Sequence, residues 1–175
     1  MNELARQQCL MHYSYTLEYV NCRDYDLVIV AIAEGMEAKK GVLQALDSIG
    51  KAGAIIDANT SLLSVTELAS TTYRLESVIG MHFFNPVPAM KLVEIIRSQL
   101  TSDKAYEAVA RLTEEMGKSP VAVREAPGFV VNRILIPMIN EAVGILADGV
   151  ASREERDTNM QMGLIILWDR WHWAA

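Results

Sequence analysis

The sequence predicts an α/β fold with a mostly parallel sheet, followed by a helical part, and three observations carry that expectation. Short apolar runs rich in branched residues recur, they alternate with segments of helical spacing, and beyond Ala126-Pro127-Gly128 the texture becomes wholly helical. Apolar runs without polar alternation mark strands buried on both faces, and their alternation with helices implies parallel pairing under a helical cover.

Residues 1–24 show no clean period. From Asp26, "DLVIVAIA" reads as a strand buried on both faces. "EGMEAKKGVLQALDSIG" is a helix whose stripe is Met36, Val42, Leu43, Leu46 and Ile49, with Gly50 as its carboxyl-terminal stop. "AGAIIDA" is a second buried strand. In "SVTELA", Ser64 followed by Glu67 forms a capping box that opens a short helix. "SVIGMHFF" is a third strand, ending at the Asn85-Pro86 turn, and "MKLVEIIR" a fourth. "TSDKAYEAVARLTEEMG" is an amphipathic helix with a Thr/Ser start and Gly117 as its stop, and "SPVAVRE" a last strand. A domain boundary is expected near residues 124–128. Beyond it "FVVNRILIPMINEAVGILADG" is an unusually apolar helix that Pro137 should kink or adjust tightly at that point, and "SREE" is another capping box.

Composition excludes several classes of function. Half the residues are apolar and the net charge is modestly negative, so no basic face exists for nucleic acid. No run approaches the roughly 20 apolar residues of a membrane span, and the amino terminus lacks the apolar core of a secretion signal. Cys9 and Cys22 show no metal or redox spacing, which points to a reduced, cytoplasmic setting.

The stretch "VIGMHFFNPVPAMKLVEII" places two ionisable groups, His82 and Glu94, among residues that otherwise read as core. Each alone has an ordinary explanation: a satisfied core histidine, and the solvent-facing glutamate of an edge strand. Together they explain one another. A carboxylate bonded to one imidazole nitrogen fixes the tautomer and raises the basicity of the other. The buried carboxylate in turn needs a partner. The carboxyl ends of parallel strands, where ligands bind in open sheets, also carry Glu34, Asn59-Thr60-Ser61 and the segment from His82 to Asn85.

The strings "DLVIVAIAE", "NTSLLSVTELA", "GMHFFNPVPAMKLVEIIR" and "APGFVVNRILIPMINEAVGILADGVAS" resemble the 3-hydroxyacyl-CoA dehydrogenases, particularly the bacterial 3-hydroxybutyryl-CoA type. The resemblance runs from about Asp26 to Gly163. It implies the carboxyl-terminal part of a Rossmann-like NAD-binding domain over residues 1–125, then the start of an all-helical domain over 126–163. The activity implied is oxidation of the 3-hydroxyl of an acyl-CoA to the 3-oxo form, in fatty-acid or butanoate metabolism, with NAD (or NADP) as acceptor.

It also implies roles for particular residues. His82 matches the catalytic base and Glu94 its carboxylate partner. Ser61 matches a serine near the reacting oxygen that touches substrate and cofactor, and Asn132 an asparagine that orients the acyl group. Glu34, Lys39 and Asn85 match residues lining the nicotinamide-ribose site. Taken singly, Ser61 could belong to its loop, Lys39 to an exposed helix face, Glu34 to a first turn, Asn85 to the turn before Pro86, and Asn132 to a helix start. The family forms homodimers, and the apolar helix after residue 128 is expected to drive self-association.

Two departures from the family stand out. No G-x-G-x-x-G occurs, so the glycine-rich unit that cradles a pyrophosphate is expected to be missing. A non-catalytic remnant, or a module that associates with a complete relative, is therefore the alternative reading. Residues 164–175, "LIILWDRWHWAA", stand where the family reads something like A-N-H-P-M-G-P-L-A-L-G. One coding of that segment, with its first base dropped, translates as L-I-I-L-W-D-R-W-H-W, so this tail is expected to reflect a frameshift.

Overall fold

Five short strands form one sheet in which spatial order follows chain order: β1 (Leu27–Val30), β2 (Ile55–Ala58), β3 (Val78–Phe83), β4 (Leu92–Arg97) and β5 (Ser119–Arg124). β1–β2, β2–β3 and β4–β5 pair in parallel, and β3–β4 antiparallel. The computed structural model describes residues 3–164, and these fall into two units that meet in sequence at Phe129 and Val130.

In the first unit α1 (Glu3–Leu10) precedes the sheet, α2 (Met36–Ile49) joins β1 to β2, α3 (Val65–Ala69) joins β2 to β3, and α4 (Asp103–Glu115) joins β4 to β5. The two sheet faces carry separate cores, as a period of two requires. Val78, Ile96, Ile56 and Ala58 meet Leu43 and Leu46 of α2 and Val65 and Leu68 of α3. Their strand neighbours Ile79, Met81, Val93 and Ile95 meet Val109 of α4. Gly80 lets α3 come down onto the sheet: an added Cβ would lie 2.9 Å from Val65 Cγ2 and 3.1 Å from Ile96 Cβ.

The local caps follow the sequence. Ser64 Oγ accepts the Glu67 N–H at 3.0 Å, and Ser102 Oγ accepts the Ala105 N–H at 3.2 Å. Gly117 (φ 72°) ends α4, with the Lys118 N–H reaching back to the Thr113 carbonyl at 3.1 Å. Gly50 caps α2 in an extended conformation (φ −69°, ψ 143°), and a Cβ there would sit 3.0 Å from the Leu46 carbonyl. β1 differs from expectation. Ile29 is 43% exposed, because β1 is an edge strand and α4 packs over β3, β4 and β5.

The second unit contains α5 (Val131–Ala147) and α6 (Arg153–Leu164). α5 runs as one helix through Pro137. Gly149 (φ 67°) turns the chain, and a reciprocal box opens α6: Glu155 N–H donates to Ser152 Oγ and Ser152 N–H to Glu155 Oε2. Arg156, buried, donates to the Ala142 carbonyl at 3.2 Å and so ties α6 to α5. Ile134, Ile136 and Val143 of α5 are exposed. Apart from Leu164, the tail singled out above lies outside the described residues.

Candidate active site

The antiparallel register of β3 and β4 sets His82 directly opposite Glu94. Strand alternation puts Met81 and Val93 on the α4 face, so His82 and Glu94 share the other face, within reach of one another. Glu94 Oε2 accepts from His82 Nδ1 at 2.8 Å, and the two residues are 1% and 5% exposed. The rings of Phe84 and Phe129 flank the imidazole at 4.5 and 5.6 Å between centroids. A carboxylate in this position accepts from the Nδ1–H tautomer of the imidazole.

A second cluster lies at the carboxyl ends of β1 and β2. Glu34 Oε1 accepts from Thr60 Oγ1 and from the Ser61 and Leu62 N–H groups, the latter two at 2.8 and 3.2 Å. Burial alone would push the Glu34 carboxyl up. The Thr60 and Ser61 hydrogen bonds, the Lys39 charge and the Leu62 N–H outweigh it and hold the group below the usual carboxylate range. Lys39 is not the exposed helix residue that its ordinary reading allowed. It is fully buried, donates to the Asn59 carbonyl at 2.6 Å and the Ile32 carbonyl at 3.3 Å, and pairs with Glu34 Oε2 at 3.4 Å. Glu34 and Lys39 thereby shape the loop that presents Ser61.

Beneath the cluster lies Asp57, fully buried in β2. Its Oδ1 accepts the Met81 N–H at 2.6 Å, and its Oδ2 has no partner among the described residues. Burial raises this carboxyl well above its ordinary 3.8, against the lowering effects of the Met81 N–H and the Lys39 charge. Asp57 is protonated over a range in which an exposed aspartate is ionised. The sequence reading gave it no role, although an acidic residue inside a buried strand is itself a signal.

The first unit therefore brings Glu34, Lys39, Ser61, His82 and Glu94 to adjoining strands and loops. Asn85 is exposed beside the cis Asn85-Pro86 bond, just past β3. Asn132 stands in the first turn of α5, half-buried, in the second unit. For a nicotinamide cofactor the donor set is suited to its ribose end: the Glu34 carboxylate, 38% exposed, can accept sugar hydroxyls, and the Asn85 amide is exposed nearby in sequence to His82. No glycine-rich pyrophosphate turn is present in the sequence.

Comparison with known proteins identifies the family. The family model described as "3-hydroxyacyl-CoA dehydrogenase, NAD binding domain" matches residues 1–126, and its "C-terminal domain" counterpart matches 128–171. The chain is 56% identical to a 3-hydroxybutyryl-CoA dehydrogenase of Clostridioides difficile, across 91% of this chain and 57% of that protein. It is 42% identical to the mitochondrial hydroxyacyl-coenzyme A dehydrogenase of Homo sapiens, across 79% of this chain and 44% of that one. The crystal structure of (S)-3-hydroxybutyryl-CoA dehydrogenase PaaH1 from Ralstonia eutropha superposes with a TM-score of 0.93 at 44% identity, covering 95% of this chain and 59% of the other. The chain thus spans roughly half the length of the curated relatives it matches. It belongs to the 3-hydroxyacyl-CoA dehydrogenase family.

Proposed function

We propose that the chain carries the reaction-centre half of an NAD-dependent 3-hydroxyacyl-CoA dehydrogenase, with 3-hydroxybutyryl-CoA as the favoured substrate class. The observation that carries this reading is the buried His82–Glu94 pair at 2.8 Å, set where the parallel strands end. His82 Nε2 removes the proton of the substrate 3-hydroxyl, and Glu94 stabilises the imidazolium that results. Ser61, presented by the Glu34-held loop, donates a hydrogen bond to the reacting oxygen, and Asn132 orients the acyl carbonyl. Glu34, Lys39 and Asn85 form the nicotinamide-ribose side, and bound NAD supplies the hydride acceptor. The cytoplasm is the proposed compartment; no helix among the described residues is long and apolar enough to cross a membrane.

The test is NADH oxidation by the purified chain with acetoacetyl-CoA, beside His82→Gln. Activity that survives the substitution would remove His82 from the mechanism. A second reading, an associating module without turnover, is favoured by the exposed Ile134, Ile136 and Val143 of α5. Sedimentation of the chain beside Ile134→Lys tests it. Self-association that weakens in the variant supports an α5 interface, and a monomer at high concentration in both refutes it.

A further inference from the structure

β2 and β3 pair only through Ile56–Val78 and Asp57–Ile79. The same register carried two residues further would set Asn59 beside Met81, and there side chains have replaced the backbone ladder. Asp57 Oδ1 accepts the Met81 N–H at 2.6 Å, and Asn59 Nδ2 donates to the Met81 carbonyl at 3.1 Å. Without these two side chains, both backbone groups of a fully buried residue would lose their partners. The Met81 carbonyl belongs to the planar peptide unit that also holds the His82 N–H. Asn59 therefore fixes the plane from which the His82 side chain departs. Asn59 is held in turn, since its own carbonyl accepts from Lys39 Nζ at 2.6 Å, and Lys39 is paired with Glu34.

We propose that Asn59 is a positioning residue for His82, with Asp57 gripping the other backbone group of Met81. Asn59 aims the imidazole at Glu94 and makes its orientation depend on the Glu34–Lys39 loop. The two clusters of the site are then one mechanical unit, joined through a single amide side chain. This rests on the reading of His82 as the base.

Asn59→Ala deletes the side-chain donor and keeps the backbone carbonyl that Lys39 uses. In protein labelled with ring-¹⁵N histidine, where the three histidines are assigned with the help of His82→Gln, the His82 ring shifts are expected to move. A residue with only a structural role would lower the melting temperature and leave those shifts in place. In turnover of acetoacetyl-CoA with NADH, kcat is expected to fall about 10- to 100-fold with KM held within about twofold. Asn59→Asp keeps the shape but turns an acceptor toward the Met81 carbonyl, and should move the ring shifts further. His82 signals that superpose on those of the unaltered protein in either folded variant would overturn the proposal. If neither variant folds, the coupling across the hydrogen bond from Asn59 Nδ2 to the Met81 carbonyl carbon in the unaltered protein decides the matter, and its absence overturns it. The ring signals are read without turnover, so failure of the catalytic reading and failure of the positioning claim remain separate results.

Discussion

Asp57→Asn tests the electrostatics beneath the site through a pH slope. Asp57 is fully buried, with one hydrogen bond at Oδ1 and, among the described residues, none at Oδ2. Burial raises its folded-state carboxyl well above 3.8, while the same group in the unfolded chain ionises at its ordinary value. As pH rises through that ordinary value, the unfolded state sheds a proton that the folded state keeps. Folding is then penalised by about 1.4 kcal/mol for each pH unit until the folded-state pKa is passed. Asparagine keeps the acceptor for Met81 N–H and does not titrate. The variant's unfolding free energy minus that of the unaltered protein should therefore climb with pH at about this slope, starting near pH 4. Glu34 acts with the opposite sign. Its carboxyl is held low in the folded state, so the stability it adds is complete above 4.5 and is lost as pH falls through the depressed value. That contribution is common to both proteins and cancels in the difference. Urea unfolding at closely spaced pH values measures it, and parallel stability curves for the two proteins would refute the assignment of Asp57 as a buried, protonated acid.

Glu94→Gln keeps the shape but removes the charge that stabilises the His82 imidazolium, and kcat should drop by about 100-fold or more. Because the two residues act as one unit, the His82→Gln/Glu94→Gln double variant should be no slower than His82→Gln alone in the NADH assay. Gly80→Ala drives a methyl to within 2.9 Å of Val65 Cγ2, with the Ile96 Cβ closing the other side. It should lower stability by about 1–3 kcal/mol, read as an earlier urea midpoint with an unchanged slope.

What the sequence made legible were features decided by neighbours along the chain. The buried runs of β2 and β3, the stripe of Leu43 and Leu46, and the serine caps at Ser64, Ser102 and Ser152 depend on local spacing, and each is in place. Features decided by distant partners were read less well. The exposure of Ile29 follows from where α4 comes to rest, which no pattern within "DLVIVAIA" encodes. The coincidence of His82 and Glu94 was visible as two charges in an apolar stretch. The antiparallel register that makes them face each other was not, because it depends on how residues 84–91 reverse the chain.

Lys39 is the sharpest instance of such a long-range cause, and it carries a prediction. A lysine on an amphipathic helix reads as surface, yet this one is fully buried because three oxygens converge on it: the Ile32 and Asn59 carbonyls and Glu34 Oε2. These come from the ends of β1 and β2, so one ammonium group ties together two loops that the sheet alone would leave apart. Lys39→Met matches the length of the side chain and removes all three contacts. The orphaned oxygens should cost about 2–5 kcal/mol in unfolding free energy. The change also removes the cation that favours ionisation of Asp57, so its carboxyl should rise further and the fall in stability should extend to higher pH than in the unaltered protein. In Lys39→Met/Asp57→Asn that extension should vanish while the loss from the orphaned oxygens remains. If the pH range of Lys39→Met instead matched that of the unaltered protein, the ammonium and the buried acid would not be coupled, and Lys39 would be only a loop tether.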